Sequence, residues 1–296
     1  MRAVSELNYH PNLNARTLAG GKSRTVGMIA SNLENPFFLD IFRALEAAAH
    51  KKGYEILVGN TDYNGEQMVK HVRLMIGRRV DGIALIVSEL APELLIEINR
   101  SSIPIVLFDS PPDFHNATNI RVHYQRSIER IVEYLYSLGH RRLAFIGHHS
   151  SLSPMSERER GFVLAVKRYG HGTEWRTVAD QDGLEGGRQA ARSLLRSGFK
   201  PTAIICVNDF MAVGAIRELR DQGFAIPEDI SITGFDNIQL SEYCSPQLTT
   251  VHIPRERIGQ LVFDSLVGDG AGKQPSRDIV IDPELVLRGS TGPAPA

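Results

Sequence analysis

Polar side chains directly follow short apolar runs at several points along the chain, and such side chains can hydrogen-bond a small molecule. One set comprises Ser31, Asn32, Asp62, Ser88 and Asp109, and a later set comprises Asn208, Asp209, Asp236 and Asn237. The apolar runs are typical of parallel strands, and open α/β sheets bind ligands at the carboxyl ends of their strands. Two such sheets facing each other would direct both sets into one cleft. For any single residue, such as Asp209, capping of a helix is the open alternative.

Two aromatic residues and an arginine add stacking and ion-pairing chemistry. Phe37 and Phe38 are adjacent at the start of a predicted helix, so they cannot both point into one core stripe. Phe38 fits the buried face, which leaves Phe37 free to stack on a ring in the cleft, unless both are packing residues. Arg158 begins a later helix, and its guanidinium fork suits vicinal hydroxyls or a carboxylate. A solvated surface arginine is the alternative there.

The elements that position these residues alternate between two periodicities. Near-continuous apolar runs indicate buried strands at 26–30, 56–58, 83–87, 105–108, 143–146, 203–207 and 230–233, with a weaker run at 177–179. Amphipathic helical segments separate these runs, and several end at a glycine. The pattern predicts an α/β fold of two doubly wound parallel-sheet subdomains with a break near residues 119–124. Two short strands in the tail, at 278–281 and 284–287, predict further crossovers between the subdomains.

Composition and charge restrict the function classes. The 296 residues carry 33 Lys and Arg against 34 Asp and Glu, so the chain as a whole is not a nucleic-acid-coating protein. Two cysteines, Cys206 and Cys244, do not make a disulfide framework and fit a reducing compartment. No apolar stretch approaches about 18 residues, and the N-terminus lacks a signal-peptide pattern. These features predict a cytoplasmic protein with no membrane span.

No arrangement for catalysis or metal binding stands out. The segment 268–274 (GDGAGKQ) is a poor phosphate loop because Gln274 replaces the hydroxyl residue and a helix precedes it. His148 and His149 have no nearby ligand set of metal spacing, and no Ser-His-Asp or paired-carboxylate site is evident. The sequence therefore predicts neither an enzyme nor a cofactor or metal site.

An ordered series of short motifs resembles the lactose/galactose repressor (LacI/GalR) family of transcription regulators. The motifs are 9–12 (YHPN), 15–18 (ARTL), 24–27 (RTVG), 35–38 (NPFF), 80–83 (VDGI), 139–144 (GHRRLA), 158–162 (RERGF), 208–212 (NDFMA), 227–237 (PEDISITGFDN), 246–251 (PQLTTV) and 284–290 (ELVLRGS). They extend over about residues 2–291. One such motif would be weak, whereas the ordered series is highly specific.

The resemblance implies a ligand-responsive regulator, most often a repressor, with two subdomains like those of type I periplasmic binding proteins. It implies a first subdomain of residues 24–122 plus 253–280, a second of residues 124–250 plus 283–290, and a homodimer. A small-molecule effector in the cleft between the subdomains would control the dimer geometry and the binding of operator DNA. The effector contacts that the family's motifs place on this sequence are Phe37, Phe38, Asp109, Arg158, Asn208, Asp209 and Asp236.

Residues 1–23 resemble the end of the family's DNA-binding head followed by its hinge helix at 12–19. A helix of this length is not stable alone, and in the family it folds on the operator, where a leucine wedges into the minor groove. The corresponding DNA contacts here are Asn14, Ala15, Arg16 and Leu18. Without the family context, Leu18 would be a loop leucine. The family carries about 45 further residues before this point, a helix-turn-helix, so the sequence as written predicts poor operator binding. The alternatives are a mis-chosen start, a cut chain and a headless regulator.

Departures from the family pattern bear on the effector. Gln181 stands where an aromatic residue would help to stack a purine, and the loop 147–155 lacks the polar pattern of the purine-type member. These departures favour a sugar or a related polyol. The rival interpretation is a periplasmic-type sugar-binding protein without DNA function. The missing signal-peptide pattern and the hinge-like segment 12–19 argue against it.

Overall fold

Two parallel sheets, each alternating with helices along the chain, make up the fold. The computed structural model describes residues 22–87, 90, 94, 103–110, 117–149, 153–169, 172–268 and 277–295. The strands are β1 (Thr25–Ala30), β2 (Glu55–Asn60), β3 (Gly82–Ile86), β4 (Ile105–Phe108), β5 (Ala117–Val122), β6 (Arg142–His148), β7 (Glu174–Asp180), β8 (Ala203–Cys206), β9 (Ser231–Thr233), β10 (Thr250–His252), β11 (Arg277–Ile281) and β12 (Glu284–Val286). The helices are α1 (Pro36–Lys51), α2 (Gly65–Gly77), α3 (Tyr124–Ser137), α4 (Ser153–Tyr169), α5 (Leu184–Arg196), α6 (Asp209–Asp221), α7 (Leu240–Tyr243) and α8 (Arg255–Val267).

The larger sheet has six parallel strands in the order β11-β5-β4-β3-β1-β2. Alternate residues of its strands pack into two separate cores. Met28 and Ile86 belong to the core that includes α1 and α8, whereas Ile29 and Leu85 belong to the core that includes α2. Because both faces are covered, the central strands β1, β3 and β4 are buried almost throughout rather than alternating. We call this sheet with α1, α2 and α8 the first lobe.

The smaller sheet has four parallel strands in the order β7-β6-β8-β9. With α3 to α7 and the antiparallel ribbon of β10 and β12, we call it the second lobe. Single bridges from Thr233 to Thr249 and from Asp236 to His252 connect the ribbon to the end of β9. The chain passes between the lobes after β5, after β10 and after β11, as the predicted crossovers require.

Local sequence explains how the cleft-side helices begin. The Asn35 side chain accepts a 3.1 Å hydrogen bond from the Phe37 N–H, and Pro36 occupies the first helical position of α1. The Asn208 side chain accepts a 2.7 Å bond from the Met211 N–H at the start of α6. β1 ends at Ala30 and β8 ends at Cys206, so both caps lie in the short loops after these strands and both helices begin at the carboxyl edges of the sheets.

Two strands differ from the sequence expectation. The strand β5 was not predicted, because Thr118 and Arg121 are half-exposed and interrupt its apolar pattern. The weak run at 177–179 is the centre of β7, an edge strand whose partly exposed residues conceal its length. The two tail strands lie where the sequence predicts them, within one residue. Among the described residues, no helix is both long enough and apolar enough to cross a membrane.

Candidate functional site

A closed cleft lies between the carboxyl edges of the two sheets. Its lining residues are Asn35, Phe37, Phe38, Tyr63, Val87 and Phe108 from the first lobe and Tyr124, His148, Arg158, Asn208 and Asp236 from the second. Its volume is about 40 Å³, whereas about 10–15 Å³ accommodates one water molecule. A ligand larger than a few waters therefore requires the lobes to separate. Five of the seven predicted effector residues line this cleft, and their contact with an effector stays a prediction.

The aromatic wall of the cleft comes mainly from the start of α1. The rings of Phe37 and Phe38 meet edge to face with centroids 5.3 Å apart, and Phe37 lies 6.0 Å from Phe108. Both α1 phenylalanines are buried against the core and also line the cleft. The expected division, with one ring in the core and the other in the cleft, is therefore not observed.

Arg158 is a buried residue rather than a solvated one, with 8% of its surface exposed. Its guanidinium lies over the ring of Tyr124, 4.2 Å from the centroid, and over that of Phe235 at 4.6 Å. One amino group donates a 2.9 Å hydrogen bond to the Val207 carbonyl, and the other lies 3.8 Å from Asp236 Oδ1. Two aromatic faces and one carbonyl thus fix the arginine in the cleft wall.

Asp236 faces Arg158 from the loop after β9. Burial raises the pKa of the Asp236 carboxyl to about 7, against the opposing effects of Arg158 and Arg255. Arg255 Nη2 donates a 2.7 Å hydrogen bond to the Asn237 carbonyl, and Nη1 donates to the Asp236 carbonyl. Arg255 Nε also binds Asp40 on α1 at 3.1 Å. The first lobe therefore holds the backbone that presents Asp236.

Asp109 lies behind the cleft wall and is not among the lining residues. Its Oδ1 accepts a 2.7 Å bond from the Val122 N–H and its Oδ2 accepts a 2.5 Å bond from the Tyr124 hydroxyl. Burial raises its pKa to about 7. Its contacts favour a positioning role, in which it fixes Tyr124 and through that ring the guanidinium of Arg158.

Asp209 also lies away from the lining residues. Its Oδ2 accepts a 2.8 Å bond from the Ile238 N–H and its Oδ1 accepts a 2.5 Å bond from the Thr250 hydroxyl. It is fully buried, and burial raises its pKa well above the ordinary value. Since both carboxyl oxygens bind groups of the second lobe, this placement favours a structural role, whereas its neighbour Asn208 faces the cleft.

Four residues at this site are not among the predicted effector contacts, namely Tyr63, Tyr124, His148 and Asp182. Asp182 Oδ2 accepts a 2.6 Å hydrogen bond from the Tyr63 hydroxyl, and Oδ1 accepts a 2.8 Å bond from the Asn208 amide. The His148 ring lies 5.5 Å from the Tyr63 ring, and burial lowers the pKa of this histidine. Both residues occur at or just beyond strand ends. The apolar run of β6 is a signal that could have found His148, whereas the exposed residues of β7 conceal the strand end before Asp182.

The remaining predictions concern metals and DNA. Within the described residues, no group of three or more His, Cys, Asp or Glu side chains is placed to hold a metal ion. Cys206 is buried and Cys244 is half-buried, and both are free thiols. The predicted hinge contacts, Asn14, Ala15, Arg16 and Leu18, lie outside the described residues.

Sequence comparison finds relatives along the whole chain. Residues 132–291 match the family of periplasmic binding protein-like domains. The HTH-type transcriptional repressor PurR of Pasteurella multocida is 33% identical over 294 residues, covering 98% of this chain and 88% of that protein. The repressor PurR of Vibrio vulnificus is 34% identical over 296 residues, covering 97% and 87%. These relatives are repressors and not enzymes, which confirms the prediction of a non-enzymatic protein.

Solved structures of regulators of the same kind have folds similar to that of this chain. The lac repressor dimer bound to operator and the anti-inducer ONPF is 25% identical, with a TM-score of 0.85 over 98% of this chain and 88% of that chain. A LacI family regulator from Enterococcus faecium with bound ribose is 27% identical, with a TM-score of 0.81 over 91% and 99%. These matches confirm the predicted fold of two periplasmic-binding-protein-like α/β subdomains.

Proposed function

This chain belongs to the LacI/GalR family of ligand-responsive transcriptional regulators, and on that premise we propose that it is a cytoplasmic repressor whose effector is a sugar or related polyol. The effector binds between the first lobe, residues 24–122 plus 253–280, and the second, residues 124–250 plus 283–290. Effector binding changes the relative orientation of the lobes in a homodimer, and this change alters the affinity of the homodimer for operator DNA. An effector acts in this way only through its different affinities for the two states.

One observation carries the choice of this cleft. Arg158 Nε and Asp236 Oδ1 are buried atoms that have no hydrogen-bond partner among the described residues. A buried polar group without a partner costs about 1–3 kcal/mol, and more when it is charged. Within the described part of the chain, Arg158 Nε is a free donor and Asp236 Oδ1 is a free acceptor. The two side chains are neighbours, since Arg158 Nη2 lies 3.8 Å from Asp236 Oδ1. A hydroxyl both donates and accepts, so two neighbouring hydroxyls of a ligand satisfy both groups.

The aromatic wall and the neighbouring amides support a sugar-sized ligand. Phe37, Phe38 and Phe108 offer apolar faces for the C–H side of a sugar ring. The amides of Asn35 and Asn208 each donate one N–H to Asp182, and each has a second N–H that a ligand hydroxyl can accept. The Enterococcus faecium relative contains ribose. Gln181 is exposed and supplies no ring for a purine, which supports a polyol rather than a purine.

We propose that the hinge segment, residues 12–19, contacts the operator DNA. Asn14, Ala15, Arg16 and Leu18 are proposed operator contacts, and the operator-bound lac repressor supports this assignment by its similarity to the chain. The curated relatives are repressors, which favours this function over that of a periplasmic-type sugar-binding protein without DNA function.

The test measures the melting temperature of the protein with and without each ligand. The ligands are a panel of aldoses and alditols, beginning with ribose, and purine bases for comparison. A ligand at 100 times its Kd stabilises the folded state by about 2.7 kcal/mol. We expect a polyol to raise the melting temperature of the wild type but not of Arg158→Ala or Asp236→Ala. Arg160→Ala, an exposed arginine two residues away on α4, is the matched control and retains the shift. An unchanged shift in Arg158→Ala, or stabilisation by purines alone, would refute the proposal.

A further inference from the structure

Asp182 is a half-buried carboxylate that both lobes hold beside the lining residues of the cleft, at a position that we call its mouth. Its Oδ2 accepts hydrogen bonds from two first-lobe groups, the Tyr63 hydroxyl at 2.6 Å and the Asn35 amide at 3.4 Å. Its Oδ1 accepts a 2.8 Å bond from the Asn208 amide of its own lobe. All three donors line the cleft. Asp182 therefore cannot swing out of the mouth without breaking contacts on both sides.

The charge of Asp182 acts on the interior of the cleft. Burial raises the pKa of Asp236 and lowers that of His148, and the negative charge of Asp182 adds to the first shift and opposes the second. Both residues line the cleft in the second lobe. The carboxylate therefore contributes to the potential that a ligand meets inside the cleft.

The other charged groups around the cleft do not offset this carboxylate. Arg158 supplies a positive charge, and Asp236 opposes it at 3.8 Å. Burial lowers the pKa of His148, so its ring is neutral near pH 7. Arg255 pairs with Asp40 and binds the backbone behind Asp236. At pH 8, where Asp236 is mostly ionised, the charged lining residues and Asp182 together therefore carry more negative than positive charge.

We propose that Asp182 is a specificity-determining residue, a fixed carboxylate at the cleft mouth that excludes anionic ligands such as sugar phosphates and sugar acids. The inference rests on the proposed function, since it narrows the effector class to uncharged polyols. A like charge held close to the ligand path is an established way to reject a competing ligand that otherwise fits. Three hydrogen bonds hold Asp182 here when the cleft is closed, and the bond from Asn208 of its own lobe remains when the lobes separate for a ligand.

The experiment measures the affinities of ribose and ribose 5-phosphate by titration calorimetry at pH 8. Asp182→Asn keeps the size of the side chain and removes its charge, and Asp182→Ala removes the whole carboxylate. Asp180→Asn is the matched control, because Asp180 accepts a hydrogen bond from the adjacent Gln181 N–H and, among the described residues, its side chain has no hydrogen bond or ion pair with the first lobe. Circular dichroism and the melting temperature verify that each variant is folded.

We expect both Asp182 variants to bind ribose 5-phosphate at least tenfold more tightly than the wild type does, whereas Asp180→Asn does not. Tenfold corresponds to about 1.4 kcal/mol. If folded Asp182 variants gain no affinity for the phosphate, or if the wild type already prefers it to ribose, the proposal is overturned. A gain for the phosphate without ribose binding by any variant upholds Asp182 as the excluding group and contradicts the polyol effector instead.

Discussion

The hydroxyl of Tyr124 donates a 2.5 Å hydrogen bond to Asp109 Oδ2, so the residue that begins α3 in the second lobe is fastened to the end of β4 in the first. The same tyrosine ring lies under the guanidinium of Arg158, 4.2 Å from its carbon. This one hydrogen bond therefore connects the crossover between the lobes with the arginine of the cleft.

Removing the Tyr124 hydroxyl tests that connection. Tyr124→Phe keeps the ring beneath Arg158 but leaves a buried carboxyl with one partner fewer, so we expect the free energy of unfolding to fall by about 1–3 kcal/mol. Urea denaturation at pH 8 measures the loss. Tyr134→Phe is the control, because the Tyr134 hydroxyl bonds only the neutral Thr291 hydroxyl at 3.0 Å. Equal losses in the two variants would contradict the special role of the Asp109 contact.

Asp109 also predicts a pH dependence of stability with a definite sign. Burial raises its pKa from 3.8 to about 7 in the folded chain, so between those values the folded state holds a proton that the unfolded state has lost. Its contribution to stability is therefore greatest below about pH 4, falls as the pH rises towards 7, and is constant above that.

Asp109→Asn removes this titration and leaves the other groups in place. We expect the wild-type free energy of unfolding, relative to that of Asp109→Asn, to fall by about 2 kcal/mol between pH 5 and pH 7, since one pKa unit corresponds to about 1.4 kcal/mol. Denaturant titrations of both proteins at each pH provide the difference. A difference that stays flat or rises over this range would show that Asp109 does not titrate as proposed.

Ligand binding should respond to pH in the opposite direction. Burial raises the pKa of Asp236 to about 7, and a ligand hydroxyl that donates to this carboxyl favours its ionised form. Binding then releases a proton, and the affinity for a polyol should be several-fold higher at pH 8 than at pH 6. Calorimetric titrations in buffers of different ionisation enthalpy detect the released proton directly. Equal affinities at the two pH values would contradict a hydrogen bond to ionised Asp236.

The sequence predicts those residues of this site that follow a strand with a clear run of buried apolar residues. Asn208 and Asp236 follow β8 and β9, whose apolar residues are unmistakable, so the rule for parallel strand ends places both at one edge. The same rule leaves Asp209 a prediction, because a residue at a strand end can equally turn its carboxyl inward to hold a loop, as Asp209 does here through its bonds to Ile238 and Thr250. Spacing alone does not distinguish these two orientations.

The roles of Asp182 and Tyr124 cannot be predicted from the local sequence pattern. The strand before Asp182 is an edge strand with several exposed residues, so its end is hidden in the sequence. Tyr124 occupies an ordinary helix start, and its role arises from Asp109 and Arg158, which are 15 and 34 residues away in the chain. Contacts between lobes depend on the tertiary arrangement, and no short segment encodes them.

The packing of α1 against α8 provides a prediction that is independent of the cleft. A Cβ atom at Gly259 of α8 would lie 2.5 Å from the Ala44 Cβ and 2.7 Å from the Leu45 nitrogen, so the two helices would have to move apart. We expect Gly259→Ala to destabilise the fold by about 1–3 kcal/mol. The same substitution at Gly77, the last residue of α2, meets no atom within 4 Å and should stabilise by about 0.4–1 kcal/mol. Thermal unfolding of both variants measures the contrast, and a shared sign would contradict the packing.

The most direct test of the account is a crystal structure of the chain with the polyol that stabilises it most. We expect the polyol between the α1 phenylalanines and the Arg158–Asp236 pair, with its hydroxyl oxygens within hydrogen-bond distance of Arg158 Nε and Asp236 Oδ1. A polyol bound elsewhere, or one bound in the cleft while those two atoms still lack partners, would contradict it.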